Sequence, residues 1–203
     1  MWRKEIRLAG SGGQGLGLAA MVLADAALQA GLYATIMQSY GPEARGGASR
    51  ADVVISDAPI ANPQCGVPGI LLALHDKAWR RFVTGVPAVT AALASGATVA
   101  VVDRDRVAVD PGAPGVIALA FEAVARDELR AKVVANMIAV GALGFLMERF
   151  DAGVVESAVS KRSPDAFREL NVVALRRGWA MMDEHLAATS PQEVSAGAGL
   201  AGP

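Results

Sequence analysis

The sequence is poor in side chains that bind metals. It contains a single cysteine, Cys65, among 203 residues. One cysteine cannot form a disulfide within the chain, and it cannot supply the thiolates of an iron–sulfur cluster or of a cysteine-rich zinc site. The two histidines, His75 and His185, lie far apart without a carboxylate or cysteine at metal-ligand spacing, so we predict no metal site. Cys65 has no neighbouring base, and we interpret it as a packed or incidental thiol.

Charge is also scarce. The chain carries 19 Lys and Arg against 20 Asp and Glu, a net charge of -1, and only 19% of its residues are charged. Without a basic excess or an RNA-binding aromatic pattern, binding to nucleic acid or to an anionic membrane surface is not expected. The apolar fraction of 53% predicts that part of the surface is buried in an assembly.

Neither a leader nor a membrane span is expected. The N-terminus lacks an apolar signal core, so the predicted location is cytoplasmic. The uncharged stretch at 82–102 is long enough to span a bilayer, but it contains glycines, a proline, threonines and a serine. A loop, a helix and a buried strand explain this stretch better than a membrane helix.

A glycine-rich turn lies near the N-terminus and consists of Gly10-Ser11-Gly12-Gly13-Gln14-Gly15. It separates a strand predicted at 6–9 from a helix predicted at 16–30. Glycines permit positive φ and a close approach of the backbone, so N–H groups and the helix N-terminus can face a phosphate. A purely structural turn between strand and helix also favours glycine, and this alternative stays open.

Two nucleotide sites fit this turn poorly. A dinucleotide site has an acidic residue about 20 positions further on, at the end of the second strand. The second predicted strand, at 32–38, is followed by no carboxylate before Glu43. A nucleotide triphosphatase has a lysine after the last glycine, where this chain has Leu16. A free-standing dinucleotide-binding dehydrogenase therefore remains only as an alternative.

A second loop follows the second predicted strand, at 39–50, and includes Tyr40, Arg45, Gly46 and Gly47. The guanidinium groups of Arg45 and Arg50 can form paired hydrogen bonds with phosphate or carboxylate. A surface ion pair between Arg45 and Glu43 is the alternative without a function. Because both loops follow strands of a predicted parallel sheet, they are expected at the same sheet edge, where they would form an anion site.

The order of elements predicts the fold. Strands alternate with helices, which predicts a single doubly wound, mostly parallel α/β sheet domain with helices on both faces over residues 1–188. The first two strands and their helix form a right-handed, parallel βαβ unit. Gly141 and Gly144 in the apolar run 133–147 predict a central, closely packed helix. Residues 189–203 form a small-residue tail that we expect to be disordered.

The two loops resemble those of the gamma subunit of 2-oxoacid:ferredoxin oxidoreductases, at 6–15 and 38–49. The resemblance continues at 51–57, 136–144 and 167–175, and covers roughly residues 4 to 186. The form Tyr-Gly-Pro-Glu-Ala-Arg-Gly-Gly is most similar to the 2-oxoglutarate enzymes. Pyruvate, branched-chain and aryl-2-oxoacid relatives share the scaffold.

The resemblance implies a subunit of an enzyme that decarboxylates a 2-oxoacid on thiamine diphosphate. In that family, electrons pass through iron–sulfur clusters to ferredoxin or NAD(P), and coenzyme A receives the acyl group. The chain has no cysteines for clusters and no Gly-Asp-Gly motif with a downstream Asn for Mg and diphosphate. These cofactors are therefore expected in alpha and beta subunits, with a possible ferredoxin-like or flavin subunit.

The resemblance implies no catalytic residue in this chain and no activity of the chain alone. Its expected share is to support the complex and to position coenzyme A, with both loops as the cofactor-binding residues. The alternative within this family is a pure assembly subunit that never touches the coenzyme.

Overall fold

The computed structural model describes residues 1–39, 47–110 and 112–189. These residues form one six-stranded sheet and seven α-helices. The strands are β1 (Arg3–Ser11), β2 (Tyr33–Ser39), β3 (Ala48–Ser56), β4 (Ile70–Ala73), β5 (Val99–Asp103) and β6 (Val116–Leu119). The helices are α1 (Leu16–Gln29), α2 (Asp76–Trp79), α3 (Pro87–Ala94), α4 (Phe121–Asp127), α5 (Ala135–Phe145), α6 (Ala152–Arg162) and α7 (Arg168–Thr189).

The sheet has the strand order β2-β3-β1-β4-β5-β6. The pairs β1–β4, β4–β5 and β5–β6 are parallel, whereas β3 is antiparallel to both β1 and β2. Five strands therefore point the same way, which confirms a mostly parallel sheet. The βαβ unit of β1, α1 and β2 is parallel as predicted, but β3 lies between its two strands.

The third strand begins inside the loop that was predicted at 39–50. It starts at Ala48, so residues 48–50 of that loop are strand residues. They extend the strand because they continue the ladder with the end of β1, where Ser49 is opposite Gly10. An ion pair inside the same ladder joins Arg7 to Asp52, with Nε–Oδ1 and Nη2–Oδ2 distances of 2.8 and 3.1 Å, and both residues are buried.

Helices cover both sheet faces, as predicted. On one face Ile6, Leu8 and Leu72 belong to a large core that includes side chains of α1, α5 and α7. On the other face Leu71 and Ala73 pack with side chains from α2 and α3. The alternation of neighbouring residues between the two cores follows from the two-residue period of a strand.

The predicted central helix is α5, and it crosses α7 at very short range. A Cβ atom built on Gly141 would lie 2.0 Å from the carbonyl oxygen of Leu175, and one on Gly178 would lie 1.7 Å from that of Ile138. Two backbones can approach this closely only where neither helix carries a side chain. Gly144 is less constrained, since its Cβ would lie 3.2 Å from the ring of Trp179.

The last helix and the uncharged stretch also have counterparts among the predictions. Helix α7 ends at Thr189, and residues 190–203 of the predicted tail lie outside the described residues. The stretch at 82–102 contains the end of a π-helical turn (Arg80–Thr84), α3 and most of β5. Among the described residues, no helix is both long and apolar enough to cross a membrane.

Candidate functional site

The glycine turn links β1 to α1 through two residues with left-handed backbone conformations. Gly13 has φ 95° and Gly15 has φ 71°. Gly15 is the N-cap of α1, and no side chain forms a hydrogen bond that caps this helix end. Glycine is required here because other side chains adopt positive φ only with strain. The first N–H groups of α1 have no carbonyl partner one turn earlier in the helix.

Gln14 fixes the shape of the turn. Its Oε1 accepts the N–H of Ser11 at 2.6 Å, and its Nε2 donates to the carbonyl oxygen of Leu74 at 3.0 Å. The side chain therefore ties the turn to the residue that follows β4. Gly10 leaves room for this clamp, because a Cβ atom there would lie 2.6 Å from Oε1 of Gln14.

The two predicted loops meet at the same sheet edge. The N–H of Gly12 donates to the carbonyl oxygen of Gly47 at 3.1 Å, and the hydroxyl of Ser49 donates to that of Gly10 at 3.4 Å. Gly47 is thus a backbone partner of the first turn. Three other predicted site residues, Tyr40, Arg45 and Gly46, lie outside the described residues.

Only part of the turn has N–H groups to offer to a ligand. The N–H groups of Ser11 and Gly12 are bound as described, and that of Gln14 donates to the carbonyl oxygen of Ser11 at 3.2 Å. Within residues 1–39, 47–110 and 112–189, Gly13 and Gly15 have no acceptor for theirs. The anion-binding capacity of this turn is therefore concentrated in Gly13, Gly15 and the N-terminus of α1.

A cavity of about 470 Å³ opens beside the turn. Its walls come from the glycine turn, the ends of β4 and β5, and the starts of α4, α5 and α7. The lining residues are Gly13, Gln14, Gly15, Leu18, Leu74, Asp103, Arg106, Glu122, Lys132, Val133, Ala135, Asn136, Pro164, Phe167 and Asn171. This volume lies within the range of small-molecule sites.

Asp103 shapes the wall opposite the turn. Its Oδ1 accepts the N–H of Asp105, and its Oδ2 accepts the N–H of Glu122 in the first turn of α4, both at 3.0 Å. The side chain is buried, and this burial raises the pKa of Asp103 above its ordinary value, although the two N–H donors oppose the shift. Asp103 therefore connects the end of β5 to the start of α4.

Two cations line the cavity in different electrostatic settings. Nε of Arg106 lies 2.9 Å from Oε2 of Glu122, so this guanidinium is already paired. Lys132 is exposed and forms no ion pair within the described part of the chain. Its charge acts at longer range on Asp127, whose pKa is lowered mainly by a hydrogen bond from Arg126 and further by Lys132. Lys132 is therefore the cation that can bind an added anion without breaking an ion pair.

Two buried amides also line the cavity. Nδ2 of Asn136 donates to the carbonyl oxygen of Gly15 at 3.4 Å, and Nδ2 of Asn171 donates to the hydroxyl of Ser163 at 2.9 Å. A Cβ atom on Gly15 would lie 2.3 Å from Nδ2 of Asn136. The glycine turn and α5 are thus fitted to each other at the cavity wall.

His75 and Cys65, for which the sequence predicts no functional role, do not line the cavity. His75 caps α2, where its Nδ1 accepts the N–H of Lys77, and burial lowers the pKa of its imidazole. Cys65 is half-buried, and burial raises the pKa of its thiol to about 12, with a further increase from Asp52. No group of three metal-ligating side chains occurs in the part of the chain that the structure describes.

Sequence patterns missed most of the cavity wall. Asp103, Arg106, Glu122 and Lys132 do not form a motif, since they meet only when β5 takes its place in the sheet. The carboxylate of a dinucleotide site is expected at the end of the second strand, but here that strand is β2, which does not pair with β1. A usable signal did exist, because Asp103 ends a buried parallel strand, where α/β proteins place ligand-binding residues.

Known proteins resemble the chain over nearly its whole described length. The family model for pyruvate ferredoxin/flavodoxin oxidoreductase matches residues 5–181. The 2-oxoglutarate synthase subunit KorC of Methanocaldococcus jannaschii is 37% identical over 187 residues, which is 90% of this chain and 95% of the relative. The KorC subunit of Methanothermobacter marburgensis is 38% identical over 190 residues, with 90% and 98% covered.

Solved structures show the same fold. The gamma subunit of a keto/oxoacid ferredoxin oxidoreductase from Geobacter sulfurreducens matches with a TM-score of 0.74 and 36% identity, over 91% of this chain and 99% of that one. A 2-oxoglutarate:ferredoxin oxidoreductase from Magnetococcus marinus, with 2-oxoglutarate, coenzyme A and succinyl-CoA bound, matches with a TM-score of 0.73 and 22% identity. That match covers 91% of this chain but 32% of the other, and it shows the fold alone.

Proposed function

Because this chain belongs to the pyruvate ferredoxin/flavodoxin oxidoreductase family, as a gamma subunit of the 2-oxoacid:ferredoxin type, we propose that it positions coenzyme A in the assembled enzyme. Two relatives that match 90% of this chain at 37% and 38% identity are subunits of 2-oxoglutarate synthases. We therefore propose 2-oxoglutarate as the substrate of the complex and succinyl-CoA as its product. A pyruvate or aryl-2-oxoacid enzyme is the alternative within the family.

The cavity beside the glycine turn is the observation that carries the coenzyme proposal. The backbone N–H groups of Gly13 and Gly15, the N-terminus of α1 and the ammonium group of Lys132 all donate hydrogen bonds or carry positive charge. Coenzyme A carries phosphates, which bind at helix N-termini and to lysine. Arg45 of the second loop is proposed to add a guanidinium group at the same edge.

Partner subunits are proposed to hold the redox machinery. A chain with one cysteine cannot ligate an iron–sulfur cluster alone. We assign the clusters, thiamine diphosphate and Mg to alpha and beta subunits, with ferredoxin or NAD(P) as the electron acceptor. The complex is expected in the cytoplasm.

The proposed contribution to rate is proximity. The thiol of coenzyme A accepts the acyl group, and the chain's own part is to hold the coenzyme by its charged end. A bound thiol reacts as part of one assembly instead of by collision, which lowers the entropic part of the barrier. The proposal requires no proton transfer by this chain.

Kinetics of the reconstituted complex test the proposal. Arg45→Ala and Gly13→Val should raise the KM for coenzyme A, because the first removes a cation and the second distorts the turn. Lys161→Gln on α6 is the control, since this side chain is exposed and does not line the cavity. Unchanged coenzyme kinetics with impaired assembly would favour the pure assembly role, and no change in KM, turnover or assembly would contradict both.

A further inference from the structure

We propose that two copies of this chain join their sheets edge to edge through β2, and that Tyr33 of each copy inserts into a groove of the other. None of the residues that line the cavity beside the glycine turn belongs to β2. The surface is thus separate from the proposed coenzyme site, and either proposal can fail without the other.

Strand β2 is an outer strand of the sheet, and its edge is unprotected. One side pairs with β3 from Tyr33 to Ser39, and within residues 1–39, 47–110 and 112–189 no strand pairs with the other side. Outer strands are commonly protected against further pairing by charged residues, proline, a bulge or a short length. The seven residues of β2 include no charge and no proline, and their register with β3 is unbroken. The opposite outer strand, β6, has only four residues, so β2 is the edge suited to extension.

The face of β2 that points away from α1 carries large apolar side chains. Ala34 and Ile36 pack against the large core, whereas Tyr33 and Met37 lie on the opposite face. Tyr33 is 47% exposed and Met37 is 44% exposed. Two large exposed side chains on one strand face indicate a contact surface.

A groove of about 310 Å³ lies at the C-terminal end of β2. The guanidinium carbon of Arg50 lies 5.6 Å from the centroid of the Phe82 ring. Its ion pair with Asp52 is long, at 3.7 Å, because both oxygens of that carboxylate already accept from Arg7. An inserted aromatic ring can therefore contact Arg50 without breaking a short ion pair. The groove is lined by Met37, Gln38, Ser39, Arg50, Asp52, Gln64 and Cys65.

A two-fold axis at Ile36 brings each tyrosine to the groove of the other copy. When two β2 strands pair antiparallel about this residue, Tyr33 of one copy lies opposite Ser39 of the other, and Thr35 lies opposite Met37. Opposite residues share a face, so Tyr33 meets the groove on the side where Met37 lines it. This axis pairs all seven residues of the strand, and each contact occurs twice.

The charges of the chain also suit a second copy. The paired strands carry no charged residue, so no like charges meet across the axis. Arg50 lies beside Ser39, so its two copies would be at opposite ends of the paired strands, roughly 20 Å apart or more. That separation exceeds the screening length in physiological salt. The strand therefore provides both the inserted ring and the groove that accepts it.

Sedimentation equilibrium of the purified chain tests the surface, and we expect a dimer. Tyr33→Ala removes the inserted ring, and Met37→Lys places a charge on the edge. Each should raise the Kd of the dimer at least about tenfold. Val173→Lys is the matched control, because Val173 is 47% exposed but lies on α7, outside the proposed surface. Circular dichroism verifies that each variant is folded.

Oxidative cross-linking in a Cys65→Ser background tests the register. Tyr33→Cys combined with Ser39→Cys in one chain should give disulfide-linked dimers, because these residues lie opposite each other across the axis. Tyr33→Cys alone should give far fewer, since its two copies would lie roughly 20 Å apart.

Three results would overturn the proposal. A chain that is monomeric at every concentration would contradict the dimer, whether or not it binds coenzyme A. A dimer that is unaffected by both Tyr33→Ala and Met37→Lys would use another surface. Equal cross-linking of the single and double cysteine variants would contradict the axis at Ile36.

Discussion

The turn after β1 and the crossing of α5 with α7 both depend on glycine, but for opposite reasons. A Cβ atom on Gly13 would meet nothing within 4 Å, yet its φ of 95° disfavours any side chain. Gly178 is not among the residues with positive φ, yet a Cβ atom there would lie 1.7 Å from a carbonyl oxygen. Glycine provides conformation in the turn and space in the crossing. The space around Gly13 is therefore open, whereas the crossing leaves no room for a side chain.

The largest loss of stability is expected at the crossing of α5 and α7. Gly178→Ala forces α5 and α7 apart, because its new methyl group meets the backbone of Ile138 and not a movable side chain. We expect a loss of at least about 4 kcal/mol in the free energy of unfolding, far above the gain of about 1 kcal/mol from helix propensity. Urea denaturation of the purified chain measures this loss.

Gly144→Ala is the graded control for that experiment. Its methyl group would meet the ring of Trp179 at 3.2 Å, and a side chain can move. We expect a loss clearly smaller than that of Gly178→Ala. Equal losses at both positions would show that the crossing is not limited by the backbone approach.

At Gly15 both reasons for glycine apply, the positive φ and the lack of space. Gly15→Ala is therefore expected to cause the next largest loss of stability. Its φ of 71° imposes strain, and its methyl group would meet Nδ2 of Asn136 at 2.3 Å. We expect a loss of about 2–3 kcal/mol. In a double-mutant cycle with Asn136→Ala, the clash disappears and about 1–2 kcal/mol of backbone strain stays. Additive losses in this cycle would contradict the contact between the turn and α5.

An ion pair in the helical layer has no counterpart in the turn. Asp25 of α1 is buried, and its Oδ1 accepts from Nη2 of Arg162 at 2.8 Å. A second hydrogen bond joins Nε of Arg162 to the same carboxylate. Hydrogen bonding to Arg162 lowers the pKa of Asp25. Arg162→Met should lower the free energy of unfolding at neutral pH, by less than the loss of a fully buried pair would, because Arg162 is partly exposed.

The stability that the Asp25–Arg162 ion pair contributes should depend on pH. A carboxyl group whose pKa is lowered by folding contributes stability above its unfolded pKa of about 3.9, and this contribution is lost as the pH falls through the folded value. The difference in unfolding free energy between wild type and Arg162→Met should therefore be largest at neutral pH and shrink in acid. A difference that stays constant into acid would show that packing, not charge, holds this contact.

The smallest effect on stability is expected at Gly13. Gly13→Ala meets no neighbouring atom, so only the backbone strain of about 1 kcal/mol opposes it. We expect it nevertheless to raise the KM for coenzyme A clearly, because Gly13 lines the cavity and its N–H has no acceptor among the described residues. A large loss of stability with normal coenzyme kinetics would make this turn a purely structural one.

Sequence patterns predict local structure better than they predict neighbours in space. The turn at 10–15 and the packed helix around Gly141 follow from short motifs, and both were found at their expected places. Gly178 has no such motif, since its role exists only where α7 meets α5. The reversed direction of β3 was also unpredictable, because parallel and antiparallel buried strands have similar apolar runs.

The candidate site shows the same limit. Gly13 and Gly15 were predicted as ligand-facing, whereas the hydrogen bonds that occupy the N–H groups of Ser11 and Gly12 depend on tertiary contacts. Lys132 is distant from the turn in sequence and comes next to it only through the packing of α5. The backbone conformation of the turn could be predicted from the spacing of its glycines. The positions of the charged side chains around the cavity could not be predicted, because those residues are far apart in the sequence.

The most direct test of the central claim is the KM for coenzyme A of the assembled enzyme that carries Lys132→Gln. If this chain holds the charged end of the coenzyme, that KM should rise about tenfold, with the KM for the 2-oxoacid and the subunit composition unchanged. An unchanged KM for coenzyme A in a fully assembled, active complex would contradict the claim that this cavity binds it.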